Sequence, residues 1–362
     1  MNPITLTAMT RKLILLALIG TALHTQAQQA RIVVQHAGNV QVFSDLTEAI
    51  TAANPNAELF LGGGSYTLPA GFALSKTLHL IGAGIHPDSS GATGSTIICG
   101  GNSFRLMSSA SGSSFTGIWF NMTGINTSFQ FGIGPEDQTV ESVEFHRCRF
   151  QQNVNLGAVE PAAGSAQFVE CVFHLQVNGY GSEGHFSRCI FDWVPSTSTG
   201  TINIFRPGGL YLNNSVILGG LIGNCEGATI QNCAFTRQNG APFWQGNTST
   251  ISNCLIGYSD LTSNSPPSVV GSNNIMNVAI GTFFQNEGDD SFQFTDNLRL
   301  QAGSSGVGAG TDGTDIGIYG TDSPYKDGAM PHTPHFRRVD VAPGTDASGN
   351  LPVQVKVAAQ AN

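Results

Sequence analysis

The sequence predicts an all-β solenoid, a single chain wound into stacked parallel coils. Three observations carry that prediction. First, one short phrase recurs: Phe145-His-Arg-Cys148-Arg-Phe150, then Phe168-Val-Glu-Cys171-Val-Phe173 and Phe186-Ser-Arg-Cys189-Ile-Phe191. It continues as Leu212-Asn-Asn-Ser215-Val-Ile217, Ile230-Gln-Asn-Cys233-Ala-Phe235, Ile251-Ser-Asn-Cys254-Leu-Ile256 and, more faintly, Val270-Gly-Ser-Asn273-Asn-Ile275. Second, the steps between Cys-equivalent positions are 23, 18, 26, 18, 21 and 19 residues, with no helical pattern inside them. A period near 21 residues is the mark of a stacked coil. Third, only 11% of residues are charged while Gly supplies 45 of 362, a balance suited to strands and tight turns.

Taken in order, residues 1–27 read as a secretory leader. Arg11 and Lys12 precede the apolar run Leu13–Leu23, and Ala27 offers a cleavage point before Gln28. That run is short for a bilayer span, so no transmembrane segment is expected after cleavage. Residues 28–73 form a cap and first coil. Arg31-Ile-Val-Val and Val40-Gln-Val-Phe43 alternate as strands, and Ser44 or Asp45 caps a helix carrying Leu46, Ala49, Ile50 and Ala53 at helical spacing. Asn54-Pro55 ends it. Glu58-Leu-Phe-Leu61 is a strand, with Gly62-Gly-Gly-Ser-Tyr66 as its turn.

Residues 74–320 are the coil itself. Phe115-Thr-Gly117-Ile118-Trp-Phe120 repeats the phrase, with Gly117 at the turn and Ile118 in the inward slot. Three apolar columns run through the ladder: the one from Phe145 to Ile251, the Cys slot, and the one from Phe150 to Ile256. Stacked at the inter-strand spacing of about 4.8 Å, they make continuous buried ribbons. The position before the Cys slot reads Arg147, Glu170, Arg188, Asn214, Asn232, Asn253, Ser272. The Asn residues suit a left-handed turn. Arg147, Glu170 and Arg188 are expected as an exposed ion-pair stack, worth under about 1 kcal/mol per pair. Counting from Leu74 to Phe294 at about 21 residues gives roughly ten coils and a rod of roughly 50 Å.

After Phe294 the repeat ends in a Gly-rich stretch and Thr314-Asp-Ile-Gly-Ile-Tyr-Gly320. Residues 321–362 are an extended tail: a Pro-rich strap to about 337, then the alternating stretch Leu351–Val357, read either as a strand able to add to a sheet edge or as a frayed end.

The opening segments Leu46-Thr-Glu-Ala-Ile50, Glu58-Leu-Phe-Leu-Gly-Gly-Gly-Ser-Tyr-Thr-Leu68 and Leu80-Ile-Gly-Ala-Gly84 resemble the start of right-handed parallel β-helix proteins of the pectin-lyase-like type. Asp315-Ile-Gly-Ile-Tyr-Gly320 is similar to the closing segment of secreted bacterial members. The resemblance covers about residues 31–320 and is specific for fold rather than function. It implies a right-handed single-stranded parallel β-helix. It also raises lyase or hydrolase chemistry on uronic-acid polysaccharides, which in that family uses clustered carboxylates, Ca²⁺ in the lyases, and an Arg or Lys base.

The residues do not supply such a cluster. Glu144, Glu170, Glu183, Asp192, Glu226 and Asp260 fall at unrelated points of the repeat, and Asp289-Asp290 is the single adjacent Asp pair. The nearest constellation is Glu144, His146, Glu183, His185 and Arg188, with 144 and 185 in one column two coils apart, roughly 10 Å. A solvated polar face accounts for it. Trp119, Trp193 and Trp244 can stack on sugars only if exposed, and packing is the plainer account. Asp312-Gly-Thr-Asp315 has carboxylates suited to a Ca²⁺ loop, yet turn chemistry explains it without metal. No cofactor or metal site is expected, and no catalytic residue is assignable.

Seven cysteines in an exported chain raise the question of disulfides. Five occupy the inward slot, where parallel side chains suit the disulfide dihedral poorly, so buried free thiols are expected. Cys99 and Cys225 lie outside the slot. Without Arg11 and Lys12 the chain has 13 basic against 24 acidic residues, a net of −11. That charge does not suit nucleic-acid binding. The expected function is therefore an exported, non-catalytic protein of the cell envelope or medium that binds a polysaccharide or an envelope protein. The alternatives are a polysaccharide lyase or hydrolase, and a structural subunit of an envelope assembly docking through residues 321–357.

Overall fold

A computed structural model describes residues 31–86, 94–193, 200–262, 269–327, 335–342, 344–346 and 348–358. The leader expected at 1–27 lies outside them. The chain is mostly β, built on three long sheets that it visits in turn, compatible with a parallel β-helix. The first sheet has twelve strands, from Asn39–Phe43 at one edge to Val270–Ser272 at the other. The second has nine, from Gly64–Thr67 to Leu255–Ile256, and the third eight, from Ala73–Leu74 to Phe243–Trp244. Beyond the N-terminal edge the pairing in these sheets is parallel, each strand lying on the one a coil earlier.

The repeat phrase sets the register. Phe145 pairs with Phe168, Phe168 with Phe186, Phe186 with Leu212, Leu212 with Ile230 and Ile230 with Ile251. Stacked rings follow: Phe145 on Phe168 at 4.7 Å and 6°, Phe168 on Phe186 at 4.8 Å and 2°. The spacing of the strands is thus the spacing of the rings. Between columns the rings meet edge to face, as Phe168 does Phe173 at 5.3 Å and 72°. The five slot cysteines are buried free thiols, and Ile118 and Ser215 in the same slot are buried as well. Cys225 is buried and free, and Cys99 half-buried and free.

The turn from the first sheet to the second takes a left-handed residue in coil after coil. Gly117, Arg147, Glu170, Arg188, Asn214, Asn232, Asn253 and Asn273 have φ between 46° and 64°. Asn tolerates that region because its short amide bonds locally. Arg and Glu adopt it here too, against their preference. The last phrase is shifted by one from the expected register: Ile251 pairs with Gly271, and Cys254 N donates to Asn274 Oδ1. Asn274, not Asn273, therefore stands in the Cys slot, and Asn273 rather than Ser272 makes the turn.

The N-terminal end is closed as expected. Helix Leu46–Ala52 starts on Asp45, whose carboxylate accepts from Glu48 N at 2.8 Å, and it buries Leu46, Ala49 and Ile50 over the first coil. The C-terminal half departs from expectation. The last parallel strand is Val270–Ser272, so the coil stops before Phe294. Residues 283–327 instead lie over the outer face of the second sheet. There Phe283, Phe284, Phe292, Leu298, Leu300, Ile316, Ile318 and Tyr325 form a second core with Val172, Ile190, Val216, Ala234 and Leu255. The reason is plain in those strands: Val172-Phe173 and Ile190-Phe191 are apolar on both faces, and the outward face needs a cover. Beyond this cover, His335–Val341 and Val353–Ala358 pair as an antiparallel hairpin. The alternating stretch is a strand, and its partner is the end of the expected Pro-rich strap.

The cover corrects one more expectation. The Arg147–Glu170–Arg188 stack exists but is buried, not exposed. Arg147 Nε donates to Glu170 Oε2 at 2.8 Å, and Arg188 Nε lies 3.4 Å from Oε1. Arg147 and Glu170 are 3% and 2% exposed. Tyr325 lies against this group: burial pushes its hydroxyl well above the ordinary value, with Tyr319 and Glu170 adding to the effect. A buried carboxylate between two guanidiniums is hazardous to break, because a lone buried charge remains. Glu170→Ala is expected to lower stability by about 3–5 kcal/mol in a chemical denaturation series. Exposed Glu144→Ala is expected to stay within about 0.5 kcal/mol of the parent.

Candidate functional site

The outer face of the first sheet gathers most of the expected constellation. In register, Glu144 lies beside Gln167, Gln167 beside His185, and His185 beside Tyr211. Glu144 and His185 are thus two strand spacings apart, as the repeat implied. Strand Glu183–Ser187 places Glu183 and His185 on one side of the pleat, two residues apart. His185 Nε2 lies 2.6 Å from Glu183 Oε1, and Arg206 Nη2 binds the other oxygen, Oε2. The His185 ring stacks on Tyr211 at 4.4 Å and 12°. Burial lowers the His185 pKa from its ordinary value.

Two glycines make room for this arrangement. A Cβ on Gly184 would collide with Phe205, which packs edge-on against Phe186 under the strand. A Cβ on Gly209 would strike the Arg206 side chain. Ser142, Glu144, Ser165, Gln167, Glu183 and His185 line a shallow hollow of about 320 Å³. Glu144 and His146 form a looser exposed pair at 3.4 Å. Arg188 is not part of the face; it turns toward Glu170 beneath the cover.

A second group escaped the sequence reading. Arg149 Nε donates to His174 Nε2 at 2.8 Å, which fixes the ring proton on Nδ1, and Nδ1 lies 2.6 Å from Asp192 Oδ2. The Arg–His–Asp chain has the look of a catalytic relay, yet it is sealed. The His174 and Asp192 side chains are 12% and 4% exposed, and Arg149 is held between Trp119 at 4.6 Å and Phe294 at 5.2 Å. Phe292 N donates to the same Asp192 Oδ2. The group fastens the cover to the sheet. Its signal was in the repeat, for His174 and Asp192 each follow the third apolar column, one coil apart.

The other expected residues are placed as follows. Trp119 packs against the second core, and Trp193 and Trp244 are half-buried. Asp312 accepts from the amide and hydroxyl of Thr314, and Asp315 from Gly308 N, so both act as turn caps. Asp290 accepts from Thr236 Oγ1 at 2.5 Å, tying the cover to the coil. Among the described residues, no group of three or more His, Cys, Asp or Glu is arranged to hold a metal ion. No helix of the described residues is long and apolar enough to cross a membrane. No family model and no curated protein matches this chain.

Glu287 is a strongly perturbed carboxyl. Desolvation raises its pKa to about 7, with Asp296 and Asp289 adding, while the amides of Asp290 and Asp289 oppose the shift. The folded chain therefore holds this proton more tightly than the unfolded chain between about pH 4.5 and 7. The penalty for ionised Glu287 is full above pH 7 and fades toward pH 4.5. Glu287→Gln is expected to raise Tm at pH 8 and to leave it nearly unchanged at pH 4.5, in melting curves followed by circular dichroism.

Proposed function

We propose that the chain is an exported, non-catalytic parallel β-helix protein, right-handed and of roughly ten coils, that binds a glycan along the outer face of its first sheet. One observation carries the reading: Glu144, Gln167, His185 and Tyr211 form a row on neighbouring strands, ending in two stacked planar rings. In the stacked pair each ring covers one face of the other, so a sugar meets the exposed part of Tyr211, 40% accessible, while flanking amides and carboxylates accept sugar hydroxyls. The row is flat and its members lie one strand spacing apart, about 4.8 Å. A chain of sugars lying along the coil axis meets one polar group per spacing.

The state of Glu183 favours binding over catalysis. Both of its oxygens are engaged, one by His185 and one by Arg206. A carboxylate so paired holds the imidazole in place beside Tyr211. The second reading, a lyase or hydrolase, rests on the same Glu183–His185 pair used as an acid–base dyad. A structural subunit of an envelope assembly is the third.

Affinity electrophoresis or a glycan array separates these. The parent chain is expected to be retained by at least one polysaccharide, and Tyr211→Ala to weaken retention by roughly tenfold, the loss of one stacking platform. The polysaccharide is expected to remain intact. Release of unsaturated or reducing ends, abolished by Glu183→Gln, would overturn the binding reading in favour of the enzyme.

A further inference from the structure

The two ends of the chain each expose an apolar stripe on a strand with a free edge. At the N-terminal end, strand Asn39–Phe43 pairs with Ile32–His36 on one side and has no partner strand on the other among the described residues. Val40 and Val42 on it are 60% and 61% exposed. The register extends Val42 into a row across the sheet: Val42 beside Val33, Val33 beside Phe60, Phe60 beside Ile81. Phe60 is 37% exposed. An exposed apolar row that ends on an open strand edge is a template for another strand.

At the C-terminal end, the hairpin of His335–Val341 and Val353–Ala358 carries the complementary feature. Val353, Val355 and Val357 alternate along one face and are 51%, 50% and 53% exposed. A two-stranded hairpin alone is marginal in water, so three half-exposed valines on one face call for a third strand or a cover. Charge points the same way. Residues 28–73, the cap, carry Asp45, Glu48 and Glu58 against Arg31 alone, a net negative end. The hairpin carries Arg337, Arg338 and Lys356 against Asp340 and Asp346.

We infer that the hairpin of one copy adds to the free edge of Asn39–Phe43 in a second copy, prolonging the Val42–Val33–Phe60–Ile81 row with a valine of its own. The occupant is a second copy because the hairpin cannot readily reach its own cap. Tyr325 lies by Glu170, and seven strand spacings, about 34 Å, separate that coil from the slot beyond Asn39–Phe43. Ten residues from Tyr325 to His335 span about 33–36 Å only when drawn straight. The contact is heterologous, tail to head, so it propagates into open chains of copies rather than stopping at a symmetric pair.

The test is the mass of the full-length chain in solution, followed by sedimentation velocity as concentration rises. The parent chain is expected to pass beyond the dimer. Val42→Lys, which spoils the acceptor edge, and Val355→Lys, which spoils the donor, are each expected to remain monomeric. Unchanged melting temperatures and circular dichroism will show that both variants fold. Mixed together, the two variants are expected to form dimers and nothing larger, since one intact edge meets one intact hairpin. Two results overturn the inference: a parent chain that stays monomeric at every concentration, or a Val42→Lys variant that assembles as the parent does. The second result would place the contact between two hairpins. Removing residues 328–362 gives an independent check, because the described coil and its cover are then left whole and should no longer assemble.

Discussion

The left-handed turn between the first and second sheets is the constraint on which the architecture rests. From Gly117 to Asn273 the backbone passes this turn with φ between 46° and 64°, a region that most side chains avoid. That single residue aims the next one inward, which is why a small buried side chain follows it: Cys148, Cys171, Cys189, Ser215, Cys233, Cys254. The flanking Phe, Leu and Ile columns then fall into line at one strand spacing, and rings stack on rings. Steps of 18 to 26 residues share this register because the extra length lies outside the phrase.

The same turn also sets where charge can be buried. Arg147, Glu170 and Arg188 occupy the turn position on consecutive coils, so their side chains meet at the strand spacing and pair. In later coils Asn214 and Asn232 take that place and bond outward instead, to Gly317 and Thr311 of the cover. One position in the repeat thus serves two purposes. Early in the ladder it builds an internal ion-pair stack, and later it provides the pegs that hold the cover.

Much of the frame was legible in the sequence. The repeat phrase placed the Phe columns, the buried free thiols and the Asn turns, and the spacing of Leu46, Ala49 and Ile50 placed the capping helix, because each depends on neighbours at a fixed sequence distance. What was not legible depends on segments far apart. Val172, Ile190 and Val216 belong to a second core only because Phe283, Phe292 and Ile318, far off in sequence, lie over them. The burial of Arg147 and Glu170 has the same cause. The Glu183–His185 pair was visible in outline, but Arg206 and Tyr211 reach it from the next coil, and Gly209 and Gly184 only acquire meaning once Arg206 and Phe205 are placed. The Arg149–His174–Asp192 chain joins neighbouring coils at the ends of the third apolar column, and the cover then seals it.

The cover has a consequence for how the protein comes apart. A bare solenoid frays from its ends, each coil answering only to its neighbours. Here Phe294 touches His86 and Arg149, Phe292 bonds Asp192, Thr311 bonds Asn232 and Ala309 bonds Asn253. One segment is thereby riveted to early, middle and late coils at once. The terminal coils cannot peel away singly while those rivets hold. Unfolding is made a collective event, and a chain of nearest-neighbour units behaves as a single cooperative body.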